Sequence, residues 1–170
     1  MTRTFGSSDK MIETLNYGSH LPALIACVAV CEGPVLEIGC GHFSTPCLHS
    51  LCAALRLPLF TTEIEDSWRE QFMPYHGPAH SVIKQTDALL EMYANRQWGV
   101  VLVDDQPDKR MDHLNLFFNS ARFVLFHDSN YPGYEGLADW IAARNCYNRT
   151  YTRIGPYTLA VSKNRPIPEF

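Results

Sequence analysis

The chain has 170 residues, 46% of them hydrophobic, and a formal net charge of -4 at pH 7. This length holds one well-buried domain and is too short for two ordinary ones. The acidic balance gives no general attraction to phosphate backbones or anionic membranes, which argues against nucleic acid or a membrane as the partner and favours a small molecule.

In chain order, residues 8–17 and 20–30 read as two helices broken at Gly18-Ser19. Tyr17, Ser19 and His20 then stand before the first strand as candidate lid and substrate residues; the plainer alternative makes Ser19 a helix cap and leaves His20 exposed. The apolar run over residues 21–31 is about half the length of a membrane span, and Asp9 and Glu13 stand where a signal peptide would be basic. The expected protein is therefore soluble, unprocessed and cytoplasmic. Of the six cysteines, Cys27, Cys31, Cys40, Cys47 and Cys52 lie close together without a Cys-x-x-Cys pair. Their spacing with His42 and His49 matches no common zinc site, so they read as buried free thiols in a reducing compartment.

Residues 35–38, 59–63, 81–84, 100–104 and 123–127 read as short buried strands. Between and after them, residues 45–55, 67–72, 88–94, 111–121 and 134–143 read as helices. Pro46 sits in a first helical turn, and Ser67-Trp68-Arg69-Glu70 has the form of a capping box. Trp68, Trp98 and Phe117-Phe118 read as packing residues. This alternation predicts an α/β open sheet, mostly parallel, with helices on both faces. Residues 149–154 and 157–161 alternate around Gly155-Pro156 and predict a closing antiparallel hairpin. Residues 164–170, with two prolines, read as a loose tail.

Ligands of open α/β sheets bind outside the carboxyl ends of the strands, and here those ends are polar. The first strand ends at Glu37 and turns at Gly39 and Gly41, where glycine lets the backbone approach a ligand and the next helix presents unpaired N–H groups. The second ends at Glu63, about 20 residues beyond the turn, the separation at which an acid binds ribose hydroxyls. Thr86-Asp87 follows the third strand, and Asp87 reads either as an adenine contact or as a helix cap. Asp104-Asp105 ends the fourth strand and His127-Asp128 the fifth.

This set resembles the class I S-adenosylmethionine-dependent methyltransferases over residues 17–163, with Glu37-x-Gly39-x-Gly41 as their first motif, Glu63 as the ribose acid and Asp87 as the adenine contact. It also resembles a subgroup whose turn reads Gly-x-Gly-x-x-Ser-Thr and whose fifth strand ends in His-Asp, as Gly39 to Thr45 and His127-Asp128 do. That subgroup includes sugar and small-metabolite O-methyltransferases. The resemblance implies a Rossmann-like class I methyltransferase fold in a single domain, 1–170, with residues 1–31 as a lid. It implies S-adenosylmethionine as cofactor, bound by Glu37, Gly39, Gly41, Phe43, Ser44, Thr45, Glu63, Ile64, Asp87, Ala88 and Asp104. Phe43 departs from the commoner turn, which has a third glycine there, and its ring would cover the cofactor. Ser44 and Thr45 can cap the helix or bond the methionine carboxylate.

Methyl transfer to a small-molecule or sugar hydroxyl needs a base, or a metal that lowers the hydroxyl's pKa. His127 is the side chain that switches near neutral pH, with Asp104 and Asp128 beside it as catalytic candidates. The same three, Asp104, His127 and Asp128, can instead hold Mg or Mn. The alternative for His127-Asp128 is a strand-end cap. Arg110 is a candidate for an anionic or hydroxylated acceptor, or a surface charge.

Two other classes stand beside this one. A non-catalytic module that binds S-adenosylmethionine or S-adenosylhomocysteine fits the short chain, whose acceptor side could need a second subunit in a homo-oligomer. A NAD-dependent oxidoreductase fits the turn less well, because Ser44 replaces the last glycine of the dinucleotide fingerprint. Val103-Asp104-Asp105-Gln106-Pro107 stands where amino-group methylases of nucleic acids carry Asp/Asn-Pro-Pro-Tyr/Phe.

Overall fold

A strand that is apolar on both faces needs cover on both, and residues 98–103 form such a run. In the computed structural model, which describes residues 18–170, this run is the fully buried strand β4 (Trp98–Val103). Around it lie α1 (Leu21–Ala29), β1 (Val35–Ile38), α2 (Ser44–Leu55), β2 (Leu59–Glu63) and α3 (Asp66–Glu70). After a short 3-10 turn come β3 (His80–Lys84) and α4 (Asp87–Ala94), and beyond β4 come α5 (Arg110–Phe117), β5 (Ala121–Phe126) and α6 (Leu137–Arg144). The hairpin β6 (Tyr147–Tyr151) and β7 (Thr158–Ser162) closes the chain. The predicted helix over residues 8–17, and Tyr17 with it, lie outside the described residues.

The seven strands follow the order β3-β2-β1-β4-β5-β7-β6. All neighbours pair parallel except β7, which runs antiparallel to both β5 and β6. The order reverses between β1 and β4, so the crevice of the sheet opens where Gly39 follows β1 and Asp104 follows β4.

Period-two alternation divides the burial between two cores. Val101, Val103, Val124 and Phe126 face one that includes Leu90, Leu114, Phe117 and Trp140 of α4, α5 and α6. Val100, Leu102, Phe123 and Leu125 face the other, with Leu24, Cys27, Leu48 and Cys52 of α1 and α2. Cys27, Cys40 and Cys52 are buried and all six thiols are free. No helix among the described residues is long and apolar enough to cross a membrane.

Several predicted boundaries move for local reasons. The helix expected to reach residue 121 stops at Phe117, because Ala121 already pairs with Trp98 in the sheet. The helix expected from residue 134 starts at Leu137; Tyr134 stays in the loop, its hydroxyl donating to Pro107 O. The Ser67 capping box is not formed: α3 begins at Asp66 after Glu65, and Ser67 Oγ donates to the Glu65 carboxylate instead. The last residues are not loose, for Ile167 is buried in the second core and Phe170 packs on Tyr151.

Candidate active site

The site starts from the turn after β1. Gly39 has φ +95°, and a Cβ there would lie 2.4 Å from Asp104 O, so the chain passes the end of β4 with no room for a side chain. Beneath the turn, Glu37 is fully buried and accepts from Thr45 Oγ1 (2.9 Å) and Thr61 Oγ1 (2.8 Å) on the same oxygen, Oε2. Thr45 Oγ1 in turn accepts from Gly41 N at 3.0 Å, which fixes the second glycine. Because Thr61 spends its proton on Glu37, it accepts from His80 Nε2 (2.9 Å), and His80 Nδ1 accepts from His49 Nδ1 (3.1 Å).

Burial pushes the Glu37 carboxyl up to about 7, the neighbouring hydroxyls offsetting only part of the effect. A carboxyl raised in the folded state stabilises the protein fully below its unfolded pKa, and that contribution is lost as pH rises through the folded value. Stability therefore declines between about pH 4.5 and 7, by up to about 3 kcal/mol. Glu37→Gln should remove this decline: its amide oxygen accepts from both threonines, and its NH2 takes the place of Oε1, which has no partner. Thermal melts from pH 5 to 8 should show a flat profile for the variant, which becomes the more stable protein at pH 8. A wild-type profile equally flat would contradict the assignment.

At the rim, Glu63 accepts from Cys40 N (3.0 Å) and Glu65 N (2.9 Å), one bond to each carboxylate oxygen. Trp68 Nε1 donates to Cys40 O at 2.8 Å, and its ring packs edge-on to His42. Cys40, His42 and Trp68 line a cavity of about 650 Å³ together with His20, Gly41, Phe43, Asp104 and His127.

The far wall is a charged cluster. Asp104 Oδ1 accepts from His127 Nδ1 at 2.9 Å and lies 3.1 Å from Arg110 Nη2. Burial opposes ionisation of Asp104, but the bonded His127 and the nearby positive charge hold it below the ordinary carboxylate range. Arg110 is itself buried, donates to Asp105 O (2.7 Å) and His127 O (3.2 Å), and pairs with Asp128. Its guanidinium thus clamps the chain after β4 to the chain after β5. Ser19 Oγ donates to Pro156 O (2.7 Å) and sits 3.0 Å from His127 Nε2. The His20 ring stands edge-on to His127, with centroids 4.6 Å apart. Burial, then the neighbouring His127, lowers its pKa to about 4, and neither of its nitrogens has a partner.

The structure thus brings Gly41, Phe43, Asp104, Arg110, His127, Asp128 and His20 to one cavity, with Glu63 at its rim through Cys40. Glu37, Ser44 and Thr45 lie buried beneath the turn, where Thr45 braces it. Ser44 opens α2 from within rather than capping it, and its hydroxyl has no partner. Ser19 does not cap α1; it joins His127 to the hairpin, and His20 is buried rather than exposed. Ile64, Asp87 and Ala88 are exposed and do not line the cavity; Asp87 borders a separate hollow with Lys109 and His113, and the cap of α4 is Thr86. Between Asp104 and Asp128 stands Arg110, which already supplies that pair with a cation. Trp68, His42, Cys40 and Pro156 were not expected in the lining. Gln85 was also missed; it bridges Thr62 and Asp105 at the sheet end, and its only sequence signal is a polar residue just after β3.

No protein-family model matches the chain, and no curated protein sequence matches it. Solved structures do resemble it. Human methyltransferase-like protein 13 in complex with S-adenosylhomocysteine is 17% identical, with a TM-score of 0.60 over 89% of this chain and 85% of that one. An O-methyltransferase from Bacillus cereus, also in complex with S-adenosylhomocysteine, is 12% identical, with a TM-score of 0.61 over 94% of this chain and 92% of that one. Magnesium protoporphyrin IX methyltransferase from Synechocystis PCC 6803, with the same ligand bound, is 9% identical, with a TM-score of 0.58 over 94% and 88%. At these identities the likeness establishes the fold, which is the class I methyltransferase fold expected from the sequence.

Proposed function

We propose that the protein is an S-adenosylmethionine-dependent methyltransferase that acts on a hydroxyl of a small molecule. One observation carries this reading: at the reversal point of a methyltransferase-type sheet, a single cavity joins the glycine turn to a hydrogen-bonded, part-buried Asp104–His127 pair. The turn fits the cofactor on its own terms, since Gly41 lines the cavity without a side chain, and Glu63 is fixed by two amides yet keeps lone pairs for ribose hydroxyls. When bound, the cofactor supplies a methyl group already activated on a sulfonium.

The chain's own part is then mainly placement. Gly39 and Gly41 shape the turn, Glu37 and Thr45 brace it, and Asp104 lies across from it. Ile64, adjoining Glu63, is the exposed apolar surface available to the adenine end. An acceptor entering between Phe43 and Pro156 meets proton-accepting groups at the His20, Asp104 and His127 cluster, while Arg110 keeps Asp128 engaged. Holding the acceptor oxygen near the methyl group turns a bimolecular step into an effectively unimolecular one. The structural neighbours include both an O-methyltransferase and a porphyrin methyltransferase, so support for oxygen in a small acceptor comes from the cluster's chemistry and the cavity's size.

Calorimetry of the folded protein with S-adenosylhomocysteine should show one binding site per chain. Gly41→Ala should keep the fold, because the new Cβ meets only the movable Ser44 Oγ, and should weaken binding by at least about tenfold, or ~1.4 kcal/mol. Folded wild-type protein that binds neither S-adenosylmethionine nor S-adenosylhomocysteine would end this reading. Binding without transfer to any hydroxylated acceptor would leave a non-catalytic binding module.

A further inference from the structure

We propose that a polar hollow at the end of the sheet opposite the candidate active site binds a small phosphate monoester with a hydroxylated body, in chemical class a sugar phosphate. The proposal goes beyond methyl transfer and does not rest on it.

The hollow lies where β4 and β5 begin and β7 ends, a meeting that follows from the antiparallel pairing of β7 with β5. From Arg122 to His127 is about 17 Å of extended chain, and the two sites share no lining residue.

Charge points to the ligand. Arg122, Lys163 and Arg165 line the hollow against a single carboxylate, Glu32, a local excess of two positive charges in a chain whose net charge is -4. A phosphate monoester carries close to two negative charges at pH 7, whereas a carboxylate brings one.

Arg122 is the anchor. Its side chain is 26% exposed, its Nε is buried without a hydrogen-bond partner, and the Glu32 carboxylate stands 3.8 Å from Nη1, beyond hydrogen-bond reach. Glu32 is itself 94% exposed, so water screens it and it neutralises Arg122 only weakly. Arg110, by contrast, spends its guanidinium on two carboxylates and two carbonyls. The paired acceptor oxygens of a phosphate match the fork that Arg122 leaves unused.

Donors of a second kind stand beside the cations. Ser162 is 2% exposed, and its Oγ accepts from Arg165 N at 3.2 Å, which leaves its own proton to donate. Asn119 Oδ1 accepts from Lys163 Nζ at 2.9 Å, so its NH2 is the group it has to offer. Gln97 and Asn164 add amides, which both donate and accept and so suit hydroxyl groups. The volume, about 410 Å³, is that of a small-molecule site and exceeds what a bare phosphate fills. Single-stranded nucleic acid needs exposed rings for its bases to stack on. The one aromatic residue in the lining, Trp98, is buried with its indole N–H bound to Tyr93 O.

The test titrates the full chain with glucose 6-phosphate by calorimetry, with glucose, inorganic phosphate and a short single-stranded RNA as comparison probes. The expected result is one site per chain for glucose 6-phosphate with a Kd of about 1 mM or tighter, inorganic phosphate weaker by about tenfold, and no binding of glucose. Arg122→Gln should weaken binding by about tenfold or more. Lys163→Gln and Arg165→Gln change exposed side chains and should each weaken it by about threefold. Glu32→Gln should strengthen it by about two- to threefold, because it removes the one repelling charge. Absence of glucose 6-phosphate binding, affinity unchanged in the Arg122, Lys163 and Arg165 variants, or tighter binding of the RNA overturns the proposal. Competition by S-adenosylhomocysteine would place the sugar phosphate in the active-site cavity and overturn it as well.

Discussion

Arg110→Ala is expected to destabilise the protein by about 3–5 kcal/mol and to abolish ligand binding in the cavity. The guanidinium is buried and meets two carboxylates and two carbonyls, which belong to the segments after β4 and β5. Removing it leaves Asp104 and Asp128 facing each other without their shared cation, in a place where water cannot easily compensate. Arg110→Lys restores the charge but not the fork, so it should recover only part of the loss. Urea unfolding of the three proteins measures this directly. A loss below about 1 kcal/mol for the alanine variant would place the Arg110 pairs among ordinary surface ion pairs and refute their role as a clamp.

Gly39→Ala should be nearly as damaging, at about 2–5 kcal/mol, from two independent causes. The positive φ is unfavourable for any residue with a Cβ, and that Cβ would sit 2.4 Å from Asp104 O and 2.8 Å from Asp104 C, backbone atoms that cannot turn away. Gly33 provides the control. Its φ of +98° is similar, but a Cβ there would meet nothing nearer than Gly99 N at 3.6 Å. Gly33→Ala should therefore lose only the conformational part, about 1–2 kcal/mol. Equal losses for the two variants, measured by the same unfolding experiment, would show that the close approach to β4 is not a constraint.

The sheet could be read from sequence because burial leaves a direct mark on composition. The strands 35–38 and 59–63 were expected at the bounds observed, since apolar runs broken by a glycine or an acid end where the sheet does. Helix ends were less legible: Ser67 and Ser19 have the right chemistry to cap, but the Ser67 hydroxyl bonds the neighbouring Glu65 carboxylate and the Ser19 hydroxyl meets the distant Pro156 and His127. The acids at the strand ends were found, yet their division of labour was not. Glu37 and Thr45 brace the turn from below because alternation sends Glu37 to the α2 side of β1, a fact that spacing alone does not reveal. The meeting of Ser19, His127 and Pro156 spans more than a hundred residues and has no local signature. Arg110 read equally as a surface charge because nothing nearby in sequence predicts its burial between Asp104 and the Asp128 that follows another strand.

The hydrogen-bonded line from His49 through His80 and Thr61 to Glu37, and onward through Thr45 to Gly41, looks at first like a conduit. Its polarity says otherwise. From the His49 side each group hands its hydrogen toward Glu37, and from the Gly41 side each does the same, so the two halves point head to head. For a proton to cross, one entire half would have to reverse, its threonine hydroxyl included, inside a packed core. Glu37 is therefore the terminus of two converging dipole chains, and the cavity above it is insulated from the His49 side of the sheet.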